Sequence, residues 1–171
     1  MKRFLCAILA AVILLTGCGK AQENTAVDQV KKPFESQLNI KYGDIIATAY
    51  ISREDPANCT LLFESPESLK DMAFLFMGEE VTIAYKEMQV TIDPQSALGG
   101  MTVKLIISAI NESANEQGVH VAYKEGVLTV TGESEREQFL LTLDAENGNI
   151  LKLSIPAEEI EIEFFNFTIL S

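Results

Sequence analysis

The chain of 171 residues carries 25 acidic side chains against 13 basic ones, a formal net charge of −12. A polyanion of this kind repels phosphate backbones and releases none of their counterions, which excludes a nucleic-acid partner. One histidine and three cysteines leave little material for an imidazole and thiolate metal centre.

The chain opens with Lys2 and Arg3, then runs through twelve nearly unbroken apolar residues from Phe4 to Leu15. That length suits the apolar region of a signal peptide and falls short of the roughly 20 residues that span a bilayer. Leu15-Thr16-Gly17-Cys18 follows at once. This tetrapeptide resembles the lipobox of bacterial lipoproteins, in which the cysteine sulfur takes a diacylglyceryl group and cleavage falls just before it. The alternative is an uncleaved apolar anchor with an incidental cysteine. The lipobox resemblance implies residues 1–17 as a lipoprotein signal peptide, lipidation at Cys18, and attachment to the extracytoplasmic face of the cell membrane. Two acyl chains of the palmitate type anchor stably where one holds only marginally. Loss of Lys2 and Arg3 with the signal leaves 11 basic residues against 25 acidic, a charge of −14.

Residues 18–33 are polar and end at Pro33, a composition that reads as a lipidated, flexible tether. Residues 34–171 then form one domain, long enough to bury roughly two-thirds of its unfolded surface. Cys6 leaves with the signal and Cys18 becomes a thioether, so Cys59 stays as the sole thiol, a small buried hydrophobe on a strand.

"DIIATAYIS" and "CTLLFES" have strand composition. "SPESLKDM" reads as a short helical turn, with Ser65 as cap and Pro66 in the first turn. "EVTIAYKEMQVTID" reads as a hairpin. A two-residue turn at Lys86-Glu87 pairs Tyr85 with Met88, Ile83 with Val90 and Val81 with Ile92, all on one face; a longer turn stays open. "VAYKEGVLTV" repeats the pattern, with a turn at Glu125-Gly126 that pairs Tyr123 with Leu128 and Val121 with Val130. In "FLLTLDAENGNILKLSI" a three-residue loop, Glu146 to Gly148, preserves the register by pairing Leu143 with Leu151, Leu141 with Leu153 and Phe139 with Ile155. In "EEIEIEFFNFTIL" the apolar parity switches at Phe164-Phe165, which implies a bulge or a strand covered on both faces. Glu159, Glu161 and Glu163 read as a solvated strand face.

One segment departs from the β pattern. "DPQSALGGMTVKLIISAINESANEQG" opens with Asp93 and Pro94 as N-cap and N1 and closes near Gly118. Its apolar stripe, Leu98, Met101, Leu105, Ala109 and Ile110, is widened by Val103, Ile106 and Ile107. The Gly99-Gly100 pair permits a start near Met101. A helix this apolar demands cover on more than one side. The expected fold is therefore α+β and mainly β: about ten strands in a curved antiparallel sheet, or incomplete β-barrel, with one long apolar helix on its concave face.

"LLFESPESLKDMAFLFMGEEVTIAYKEMQVTID", the Pro-containing helix and the later "LTLDAENGNILKLSIP" resemble the LolA-like lipoprotein-carrier superfamily, with the order of elements matching over roughly 34–169. The resemblance implies a half-barrel around a hydrophobic cavity that holds acyl chains by area burial. Candidate lining residues are Phe74, Phe76, Val81, Ile83, Tyr85, Met88, Val90, Ile92, Met101, Leu105, Ile106 and Ile110; the alternative is that these side chains simply fill the core. A chain fixed at Cys18 cannot shuttle between membranes. Two roles stay open: a tethered module binding a lipid or other hydrophobic ligand, or a non-enzymatic adaptor that docks an envelope protein. By analogy with some spore-forming bacteria, that protein is a cell-wall hydrolase. No enzyme activity, cofactor or metal is expected. His120 alternates with Val119 and Val121 on the polar side of a strand. No G-x-S-x-G, H-E-x-x-H, phosphate loop or C-x-x-C occurs.

Overall fold

The computed structural model describes residues 26–170 apart from 79, 94–97 and 116–117, together with the backbone but not the side chains of 98–101. The signal region, the lipobox with Cys18, and the capping role expected of Pro94 lie outside the described residues. The elements are β1 (Phe34–Tyr42), β2 (Ile45–Asp55), β3 (Asn58–Ser65), β4 (Met72–Met77), β5 (Glu80–Tyr85), β6 (Met88–Ile92), α1 (Leu98–Ser113), β7 (His120–Lys124), β8 (Val127–Ser134), β9 (Glu137–Asp144), β10 (Ile150–Ile155) and β11 (Ile160–Ile169).

All eleven strands form one antiparallel sheet in the order β6-β5-β4-β3-β2-β1-β11-β10-β9-β8-β7. The chain builds outward from β1 to one edge at β6. It then crosses by α1 to the far edge at β7 and builds back until β11 pairs with β1. The two edges do not pair, so the sheet is open. Its curvature follows from what α1 touches. The helix packs on β4 and on β8 and β9. In a flat sheet β4 and β8 would stand about 34 Å apart at the usual strand spacing, while a helix with its side chains is about 10–12 Å across. Strands seven places apart reach one helix only because the sheet bends around it.

Period-2 patterning places the core on the inner face. Leu38, Ile51, Leu128, Leu141, Leu153 and Ile162 are fully buried, as are Phe34 and Phe139. From α1, Val103, Leu105, Ile106, Ile107, Ala109 and Ile110 are all buried, so the helix is covered on more than one side, as its composition demands. The first two hairpins keep the expected registers: Tyr85 faces Met88, Ile83 faces Val90, Val81 faces Ile92, Tyr123 faces Leu128 and Val121 faces Val130.

The eleven strands agree with the expected number of about ten. Four expectations are corrected. The β9–β10 loop is longer than three residues: Leu143 faces Ile150, Leu141 faces Leu153, and the register slips between them so that Leu151 bulges outward, 38% exposed. The parity switch in β11 comes two residues late. Glu35 faces Thr168 and Gln37 faces Phe165, which leaves the bulge at Asn166, whose φ of 53° suits an asparagine. Ser65 does not cap a helix. Its hydroxyl accepts a hydrogen bond from the Thr48 amide at 3.0 Å and ends β3 against β2. Leu69 and Lys70 close a single turn on the Pro66 carbonyl.

The fourth correction concerns the tether. Residues 26–29 form a helical turn, and Ala26 and Val30 are buried in the core. The fold therefore begins well before Phe34. The clamp is Arg53, whose side chain is fully buried on the inner face of β2. One guanidinium nitrogen donates to the Val30 carbonyl at 2.9 Å and the Lys32 carbonyl at 3.3 Å. The other donates to Asn111 Oδ1 at 2.8 Å. The guanidinium carbon lies 5.8 Å over the Phe34 ring, and the Asn111 amide donates on to the Pro56 carbonyl at 2.8 Å. Burial lowers the Arg53 pKa, with the fields of Cys59 and Asp55 acting in the opposite sense.

Arg53→Met is expected to cost about 2–4 kcal/mol, because three acceptors, one buried and two part-buried, lose a charged donor. Urea unfolding measures the loss. Limited proteolysis should show cleavage within 26–32 appearing below the unfolding midpoint in the variant alone.

Candidate functional site: an apolar cavity beneath the helix

Strands β1 to β4 and the first half of α1 leave a space of about 200 Å³ between them. Ile40, Tyr42, Ile45, Ala47, Leu61, Phe63 and Phe74 project into it from the sheet, Leu69 from the turn after β3, and Thr102, Val103 and Ile106 from the helix. The space exists for a local reason. Along β2 the inward residues are Ile45, Ala47, Ala49 and Ile51, so the middle of the strand brings methyl groups where its ends bring larger side chains. Phe63 and Phe74 meet edge to face, with centroids 5.8 Å apart, and form part of the wall. The mouth lies at the β1–β2 hairpin, where Ile45 is 51% exposed.

Phe74 and Ile106, both expected as lining, reach the cavity. Phe76, Val81, Leu105 and Ile110 are buried in the core instead. Ile83 and Ile92 pack on its margin, and Tyr85 is half-buried. Met88 and Val90 do not line an interior: they are 63% and 59% exposed, because, among the described residues, α1 packs chiefly on β4, β8 and β9 and not on edge strand β6. Met101 lies outside the described side chains. The sequence reading missed the other nine lining residues, Ile40, Ala47, Leu61 and Val103 among them. The available signal was the Ala47 and Ala49 pair at inward positions between isoleucines.

Cys59 is 5% exposed, and desolvation pushes its thiol up to about 12 while the Arg53 charge pulls the other way. It is a packing residue with no thiolate to offer near neutral pH. His120 is exposed on β7. Glu159, Glu161 and Glu163 are exposed, and Glu161 pairs with Lys152 at 3.1 Å. Among the described residues no group of His, Cys, Asp or Glu is placed to hold a metal ion, and no helix is long and apolar enough to cross a membrane.

No known family matches the sequence, and no curated protein does. Solved structures share the fold. An uncharacterized conserved protein from Thermus thermophilus is similar with a TM-score of 0.54 at 12% identity, over 89% of this chain and 88% of that one. A chain in the structure of the CwlD amidase from Clostridioides difficile in complex with the GerS lipoprotein matches with a TM-score of 0.50 at 14% identity, over 80% and 84%. A LolA superfamily protein from Nitrosomonas europaea matches with a TM-score of 0.46 at 8% identity, over 89% and 93%. At these identities the likeness to the first two, with TM-scores of 0.54 and 0.50, is one of fold alone.

The Cys59 environment has a measurable consequence. The folded protein should resist maleimide or iodoacetamide at pH 8, and label fully in denaturant. Because the folded pKa is raised, the neutral thiol favours the fold below the unfolded value near 9. That contribution fades as pH climbs toward 12, by at most about 1.4 kcal/mol per pH unit. Urea midpoints of the native chain should therefore fall more steeply above pH 9 than those of Cys59→Ala.

Proposed function

We propose that this chain is a membrane-anchored extracytoplasmic lipoprotein that binds a lipid or other hydrophobic ligand beneath α1. One observation carries the reading: a cavity with almost wholly apolar lining, about 200 Å³ in volume, open at one end of a packed domain. Close-packed interiors tolerate few voids of this size, and an apolar cavity of about 150 Å³ stays dry and takes up benzene. Holding such a ligand requires area burial and shape, with no charged or catalytic group. The chain is accordingly not an enzyme and needs no cofactor. The lipobox-like Leu15-Thr16-Gly17-Cys18 supports the anchor.

A second reading is an adaptor that docks an envelope protein. The uncovered edge strand favours it. β6 carries no lysine or proline, and Met88 and Val90 stand in solvent beside an unpaired backbone edge. The fold shared with a chain of the amidase and lipoprotein complex is compatible with this role.

Ala47→Leu separates the two readings. The added carbons occupy the cavity, so stability should hold or rise by up to about 1 kcal/mol. A fluorescent long-chain alcohol that binds the native protein should lose at least about tenfold in affinity. Unchanged uptake by a folded Ala47→Leu protein, or no uptake by the native one, would turn the reading to the β6 edge and a protein partner.

The anchor is tested separately. Cys18→Ser should abolish incorporation of labelled palmitate and move the protein from the membrane fraction to the soluble one, with ligand uptake by the domain unchanged.

A further inference from the structure

We propose that the cavity takes the end of a single hydrocarbon chain whose head group is neutral or cationic, and discriminates against an anionic head. This rests on the reading of the cavity as a ligand site. Its size sets the first half. Pockets for drug-sized ligands run about 300–1,000 Å³, and a space of about 200 Å³ admits one chain end with no room for a second beside it.

Charge around the mouth sets the second half. Tyr42 and Ile45 bracket the mouth on the β1–β2 hairpin, and the residue between them at the tip, after Gly43, is the exposed carboxylate Asp44. Glu159 stands at the same tip. Its backbone carbonyl accepts the Gly43 amide at 3.1 Å, and a methyl group on Gly43 would meet its Oε2 at 3.5 Å. Across the mouth Leu69 is followed by Lys70 and Asp71, both exposed. The Lys70 ammonium lies 3.9 Å from Glu67 Oε2, so its charge is already opposed. Lys41, on the outer side of the hairpin, faces a surface shared with Asp44, Glu159 and Glu161. Lys70 and Lys41 are thus matched or outnumbered by carboxylates, within a chain of net charge −12. A tail seated in the cavity leaves its head among these groups, where like charge is repelled.

The test holds the tail constant and changes the head. Dodecylamine, dodecyl maltoside and dodecanoate, each below its micelle concentration, are titrated into the native chain by calorimetry at neutral pH and low salt. The Ala47→Leu protein serves as the reference for binding outside the cavity. The expected result is one molecule per chain, with the amine and the maltoside at least about threefold tighter than the carboxylate. That gap should close at high salt and narrow in the double variant Asp44→Asn with Asp71→Asn. Dodecanoate binding as tightly as the amine at low salt would overturn the head-group preference while leaving the cavity reading intact. Two chains bound per cavity would overturn the single-chain limit. Failure of all three to bind in an Ala47-dependent way would overturn the proposal together with the cavity reading.

Discussion

A helix that is apolar nearly all the way round cannot rest on a flat sheet, and the architecture follows from that constraint. Val103 and Ile106 meet the first strands, while Ile107, Ala109 and Ile110 are buried as deeply. Burying both flanks takes a surface that curls. Eleven antiparallel strands provide it, because β4 and β8 reach the same helix from opposite sides. The helix also serves as the crossover between the sheet's two edges, so one element closes the topology and fills the trough. What it fails to fill is the cavity, which lies where β2 offers alanines. Fold and candidate site are thus two outcomes of one packing problem.

Arg53 answers a different need. The far end of the trough exposes the carbonyls of the incoming chain at Val30 and Lys32 and the last turn of α1 at Asn111. One guanidinium, with several donors on a rigid plane, joins all three. No carboxylate is among its hydrogen-bonded partners, so the charge is held by carbonyl and amide dipoles and by the Phe34 ring. Such an arrangement is expensive to break, because the fully buried guanidinium would be left without acceptors for its charge. It ties the start of the fold, β2 and the end of the helix into one unit.

Much of this was legible in the sequence where facing residues constrain each other. The β5–β6 and β7–β8 hairpins were readable because one turn position alone aligns three or two apolar pairs on a common face. The β9–β10 hairpin was harder, since Ile150 and Leu151 are equally apolar and either can face Leu143; tertiary packing selects the first and bulges the second. The break in β11 was visible as a change of parity, which locates a bulge only to within a residue or two. The docked segment before Phe34 was hidden in polar composition. Ala26 and Val30 are its main apolar signal, and their capture depends on Arg53, more than twenty residues on. Most of the cavity's lining was missed for a related reason. Alternation says which residues face inward, whereas the helix's position decides which inward residues line a void, which are packed solid, and which, like Met88 and Val90, stand beyond its reach.

The two halves of α1 differ in consequence. Thr102, Val103 and Ile106 line the cavity, while the incoming chain is clamped beside Asn111, near the helix end. The nine residues of rise from Thr102 to Asn111 separate these points by about 14 Å. The chain before β1 thus meets the domain at Val30 and Lys32, on the Arg53 clamp, and not at the cavity walls. A pull on that segment would load the guanidinium and the end of the helix first, and leave the shape of the cavity to the other half of α1.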